Sequence, residues 1–101
     1  MKHLSNDRLT LVANRARAIG DPTRVRILSI LEGGKQPVGQ IAAAADTRQS
    51  TASKHLQVLY HAGLVQRRRD ASVVYYWLTS SEVLRCCRAL ASRRLDARKA
   101  R

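Results

Sequence analysis

Two thiols stand side by side in this chain, Cys86 and Cys87, within the stretch "SEVLRCCRAL". A vicinal pair has three chemical uses: a disulfide, a ligand set for a soft ion, or inert packing. Consecutive residues of a helix point about 100° apart, so a disulfide between these neighbours strains an intact helix. Two thiolates suit trivalent arsenic or antimony, which favour sulfur and need few ligands. Arg85 and Arg88 flank the pair and are expected to lower the thiol pKa values. Cys87 shares a helical stripe with Val83, Leu90, Ala91 and Leu95, so a small buried hydrophobe is its competing reading, while Cys86 falls nearer the flank. Oxidant or persulfide sensing by the same cysteines is a further alternative.

A second constellation is polar. The run "QSTASKH" places Gln49, Ser50, Thr51, Ser53, Lys54 and His55 at the start of a helix whose buried stripe is Ala52, Leu56 and Leu59. Small hydrogen-bonding side chains there suit entry into a DNA major groove. Gln reads adenine edges, hydroxyls reach bases or phosphates, and Lys meets phosphate or guanine. The competing reading is an ordinary amphipathic surface helix. The formal charge of +12 favours a polyanionic partner, because each contacted phosphate releases counterions. Charge alone fits RNA or a chromosome-structuring role equally.

These residues need a scaffold, and 101 residues with 45% hydrophobic side chains make one folded domain, 1–101, that a partner subunit would help stabilise. The only aromatics are Tyr60, Tyr75, Tyr76 and Trp77. No apolar run approaches a membrane span, and "MKHLSNDRL" lacks a signal-peptide core, so a cytoplasmic location with reduced thiols and no membrane partner is expected. Ser5 or Asn6 caps a helix over about 6–18, with Leu9, Val12, Ala13, Ala16 and Ile19 at helical spacing. "GDP" breaks it, and Pro22 opens a second helix over about 23–32 that "GG" ends. Pro37 keeps the next segment extended before a third helix over about 40–45. Asp46 takes a left-handed turn into a fourth helix over about 48–61, stopped at Gly63. The period then becomes twofold: "LVQRRR" and "SVVYYWLT" form a hairpin over about 64–79 around Asp70 and Ala71. Thr79 and Glu82 suggest a capping box for a last helix over about 80–94. The fold class is therefore mainly α with a small β-hairpin, in the order α-α-α-α-β-β-α.

The segments "AIGDPTRVRILSIL", "SKHLQVLYHAGLV" and "VVYYWL", in this order and spacing, resemble the ArsR/SmtB winged helix-turn-helix repressors over roughly residues 19–78. The resemblance implies a homodimer through the first and last helices that binds double-stranded operator DNA and releases it on inducer binding. It makes the fourth helix the recognition helix and the hairpin a wing, with Arg67, Arg68 and Arg69 at the duplex. Strand alternation sends Arg68 to the face opposite its neighbours. Relatives commonly carry Gly in the wing turn, where this chain has Ala71.

Metal-responsive relatives place cysteines at the start of the third helix, and this chain has Pro37, Gly39 and Ala42 there. Zinc-responsive relatives use carboxylates and histidines on the last helix; the matching Ser80, Glu82, Arg93 and Asp96 make a poor zinc site. His3 and His61 read as surface residues. Some arsenite-responsive members carry vicinal cysteines on the last helix, so Cys86 and Cys87 are the expected metal ligands, with As(III) or Sb(III) as inducer and no required cofactor. An enzyme is not expected, since no nucleophile–base set and no phosphate-cradling Gly loop is present. A ligand-independent DNA-binding regulator remains the plainer alternative.

Overall fold

The computed structural model describes residues 2–96. Its helices are α1 (Asn6–Ala18), α2 (Pro22–Ile30), α3 (Val38–Ala44), α4 (Gln49–His61) and α5 (Glu82–Leu90). Its strands are β1 (Gln36–Pro37), β2 (Val65–Asp70) and β3 (Val73–Leu78), in a sheet of order β1-β3-β2. The expected order of helices and hairpin is present. The sequence reading lacks β1, which pairs antiparallel with β3 at Gln36–Tyr76 and Pro37–Tyr75.

Local chemistry explains the boundaries. Ser5 caps α1, accepting from the Arg8 amide. Asp21 caps α2 in the same way, with Pro22 at the position where a missing N–H costs nothing. α2 ends at Ile30, earlier than expected, and Leu31–Gly33 tighten into a 3-10 turn. α3 starts at Val38 rather than 40, directly after extended Pro37.

Asp46 closes α3 with φ 54°, the left-handed turn expected of it. Thr47 N donates to Ala42 O and Asp46 N to Ala43 O, which satisfies two carbonyls of the last turn. Gly63, with φ 80°, ends α4 by the same device: Leu64 N reaches Leu59 O and Gly63 N reaches Tyr60 O.

α5 differs from its sequence reading at both ends. The Thr79–Glu82 capping box is not formed: Thr79 Oγ1 accepts from Gln66, and the Glu82 amide donates to Ser80 Oγ. The helix stops at Leu90, short of 94, because Ser92 is extended and caps a separate 3-10 turn, Arg93–Leu95. Serine competes for backbone hydrogen bonds in this way, which disfavours it inside helices.

The core lies between α2, α3, α4 and the sheet. Ile27, Leu28, Ile41, Leu56, Leu59 and Val65 are fully buried, and Tyr76 and Leu84 close its edges. α1 contributes only Ala18 to that core, while Leu9 and Val12 are 50% and 56% exposed. On the C-terminal side Leu90 and Leu95 are 59% and 60% exposed. The first and last helices thus carry apolar side chains that this chain alone leaves uncovered.

Candidate nucleic-acid interface

α4 has three faces set by its period. Ala52, Leu56 and Leu59 are buried against the core. Gln49, Ser53, Gln57 and Tyr60, at spacings of three and four, line a groove of about 520 Å³ whose other wall is the hairpin. Ser50, Thr51 and Lys54 are exposed on the remaining face. Arg48, which precedes the helix, makes no side-chain cap.

Arg67, Arg68 and Arg69 all border the groove, and no described carboxylate does. The β2–β3 register pairs Arg67 with Tyr76 and Arg69 with Val74, which puts both arginines on the α4 side of the sheet. Arg68 pairs with Tyr75 and starts from the opposite face, as alternation requires. The guanidinium of Arg67 lies 3.9 Å from the centroid of the Tyr60 ring. The hairpin turns through Ala71 and Ser72, and Ala71 takes φ 55°. The wing therefore forms without a glycine in its turn.

His55 is placed apart from the other polar residues of α4. It is half-buried and faces α2, with Nδ1 at 3.3 Å from Arg24 Nη1 and 3.9 Å from Asp21 Oδ2. Its spacing from Ala52, Leu56 and Leu59 already assigns it to the inward stripe, a signal the polar run conceals. The same period picks out Gln57 and Tyr60, both missing from the sequence-based set, as continuing the face of Gln49 and Ser53.

The cysteines are positioned differently from the stripe read in the sequence. Cys86, not Cys87, joins Val83 and Leu90 beside Val12, Ala16 and Ile19 in an apolar groove of about 590 Å³ between α1 and α5. Cys86 is exposed, Cys87 is half-buried, and both thiols are free. The expected depression of the thiol pKa values is corrected at Cys87: burial pushes this thiol up, and the neighbouring Cys86 adds to the rise. The flanking cations have carboxylate partners, Arg88 with Glu32 at 2.6 Å and Arg85 with Glu82 at 3.7 Å. Among the described residues no three His, Cys, Asp or Glu side chains converge on a metal position. No described helix is long and apolar enough to cross a membrane.

A groove walled by a polar helix face and three arginines, with no acid on its rim, is built to hold a polyanion. Comparison with known proteins agrees. The family described as "Bacterial regulatory protein, arsR family" matches residues 21–67. The chain is 36% identical over 83 residues to the biofilm growth-associated repressor of Agrobacterium fabrum, covering 82% of this chain and 71% of that protein. It is 35% identical over 68 residues to the transcriptional repressor SdpR of Bacillus subtilis, covering 67% and 76%. It also resembles the homodimeric winged helix-turn-helix DNA-binding domain Mb0332 of Mycobacterium bovis, determined by NMR as fragment 1–100. That likeness has a TM-score of 0.77 at 31% identity and covers 95% of this chain and 94% of that one. The match runs from the start of α2 into the first strand of the wing, and the chain belongs to the arsR family of bacterial regulatory proteins, built on a winged helix-turn-helix fold.

Proposed function

We propose that this protein is a homodimeric transcriptional repressor that binds an inverted-repeat operator. Gln49, Ser50, Thr51, Ser53 and Lys54 enter the major groove, and Arg68 and Arg69 of the wing lie along the backbone or minor groove, with Arg67 stacked on Tyr60 behind them. The observation that carries this reading is the shared groove of α4 and the hairpin, polar on one wall and cationic on the other. The uncovered apolar side chains of α1 and α5 support dimerisation there, as does the homodimeric Mycobacterium bovis domain. A dimer places two recognition helices about one DNA turn, roughly 34–36 Å, apart.

The inducer we assign to Cys86 and Cys87 is arsenite or antimonite. Two thiols displace two hydroxyls of As(OH)3 as water, leaving a bis-thiolate arsenic that keeps one hydroxyl. The two sulfurs diverge on a straight helix, so closing them on one ion twists α5 beside the groove that holds Cys86. A rotation there changes the spacing of the two recognition helices. A coupling of about 1–3 kcal/mol lowers operator affinity some 5- to 150-fold. The exposure of Cys86 favours a second reading, in which an oxidant or persulfide modifies that thiol.

The test uses a labelled duplex from the protein's own promoter, followed by anisotropy at moderate salt against RNA and scrambled duplex. Selective binding of the promoter, with a reporter that falls when the protein is expressed, is the expected result. Equal binding of all three nucleic acids defeats the operator reading, and a rising reporter defeats repression. Arsenite is then titrated under reducing, metal-free conditions. Release at micromolar arsenite, lost in Cys86→Ser and in Cys87→Ser, is expected. Silence towards arsenite with release by peroxide or persulfide moves the pair to the second reading.

A further inference from the structure

A polar cluster lies away from the groove and the cysteines, where α1, α2 and α4 meet. Arg24, on the first turn of α2, engages all three of its side-chain nitrogens there. Nε donates to Ala18 O at 2.6 Å and Nη2 to Arg17 O at 3.2 Å, both carbonyls of the last turn of α1. Nη1 lies 3.3 Å from His55 Nδ1 on α4. A guanidinium has no acceptor, so a hydrogen bond in this contact requires an unprotonated Nδ1, the nitrogen that also lies 3.9 Å from Asp21 Oδ2. Asp21 caps the same turn of α2, its carboxylate accepting from the backbone amide of Arg24 at 3.1 Å.

We infer that Arg24 is a positioning residue for DNA recognition, clamping the C-terminal end of α1 to His55 and so setting the angle of α4 against the helix that lines the α1–α5 groove. Only a planar fork with separate donors spans these acceptors at once, which excludes lysine as a substitute. In a dimer any tilt of α4 enters twice, once in each half-site. Specific binding depends on that angle, whereas electrostatic attachment to any duplex does not. This inference rests on the operator reading above, and it assigns His55 a role inside the protein, not at a base.

The test exploits the two imidazole nitrogens. His55→Asn places an amide oxygen near the position of Nδ1, while His55→Gln places its amide near that of Nε2. Wild type and His55→Asn are expected to bind the promoter duplex alike, and His55→Gln and Arg24→Lys about tenfold more weakly. Affinity for scrambled duplex and the dimer mass stay unchanged throughout. Nitrogen NMR of the free wild-type protein in mildly alkaline buffer shows the proton on Nε2. Strong binding by His55→Gln with weak binding by His55→Asn makes His55 a DNA contact and overturns the inference. So do equal binding by all four proteins, a proton on Nδ1, or a parallel loss on both duplexes. Wild-type protein that fails to prefer its promoter sinks the operator reading itself, a result distinct from each of these.

Discussion

Arg67 of the wing is stacked on Tyr60 of the recognition helix, its guanidinium carbon 3.9 Å from the ring centroid. The contact joins the last turn of α4 to the first half of β2, so the two walls of the groove are held to each other by a cation on an aromatic face. It also separates two of the wing arginines by task. Arg67 has a protein partner, and Arg69, two residues further along the same face, lies towards the hairpin tip.

The salt dependence of operator binding distinguishes these tasks. Each neutralised phosphate contributes about 0.9 to the slope of log K against log salt. Arg69→Ala is expected to lower the slope by about one such increment. Arg67→Ala is expected to weaken binding about threefold to tenfold with the slope nearly unchanged, because its loss frees the wing rather than removing a phosphate contact. Tyr60→Phe keeps the stack and Tyr60→Leu loses it. Anisotropy titrations over a range of salt concentrations measure all four, and a full slope decrement in Arg67→Ala overturns its positioning role.

The parts of the fold that were legible are those with a strong period or an obligatory turn residue. α4 was legible because Ala52, Leu56 and Leu59 repeat at helical spacing up to Gly63. The hairpin was legible because "SVVYYWLT" is a run of β-branched and aromatic residues beside the turn at Asp70 and Ala71. β1 was not, because two residues carry no period and Gln36 and Pro37 become a strand only through the edge that β3 offers. The site was legible at Gln49, Ser53 and the three arginines, missed at Gln57 and Tyr60, and hidden at His55 and Arg24. The stripe spacing of His55 gives its inward face, but its partner, 31 residues away, is set only by the fold.

The cysteines are expected to differ in reactivity. Cys86 is exposed, whereas burial and the adjacent thiol raise the pKa of Cys87 and keep it protonated further into the alkaline range. The thiolate is the nucleophile, so Cys86 alkylates first, and a singly modified species accumulates at neutral pH. Cys87 reacts more slowly, and its rate keeps climbing with pH into the range where an ordinary thiol has levelled off. Mass spectrometry of iodoacetamide time courses, with Cys86→Ser and Cys87→Ser as controls, reads both rates. Equal rates at neutral pH contradict the placement of the two side chains.

The α1–α5 face makes its own prediction. Val12 and Leu90 are 56% and 59% exposed and border one apolar groove. A charge introduced there must be desolvated if a second copy covers it. Val12→Glu and Leu90→Asp are expected to weaken self-association at least about 30-fold, the scale of a central interface residue. Sedimentation equilibrium measures the change, and circular dichroism shows each variant still folded, since neither side chain belongs to the core. Unchanged association in both variants places the dimer interface elsewhere.

Ala71 holds the wing turn in the left-handed region at φ 55°, where a Cβ is crowded against the backbone. Such a residue costs about 1 kcal/mol or more against glycine, part of which glycine returns through its greater freedom in the unfolded chain. Ala71→Gly is therefore expected to stabilise the protein by about 0.5–1 kcal/mol in urea unfolding, with the denaturant slope unchanged. Ala71→Val, branched at Cβ, is expected to destabilise it by about 1 kcal/mol or more. Strain confined to the turn leaves the groove walls in place. Operator affinity in Ala71→Gly then stays within about twofold of wild type. A destabilised glycine variant would show that the turn is held by contacts of the Ala71 methyl, and that the left-handed conformation is not its governing cost.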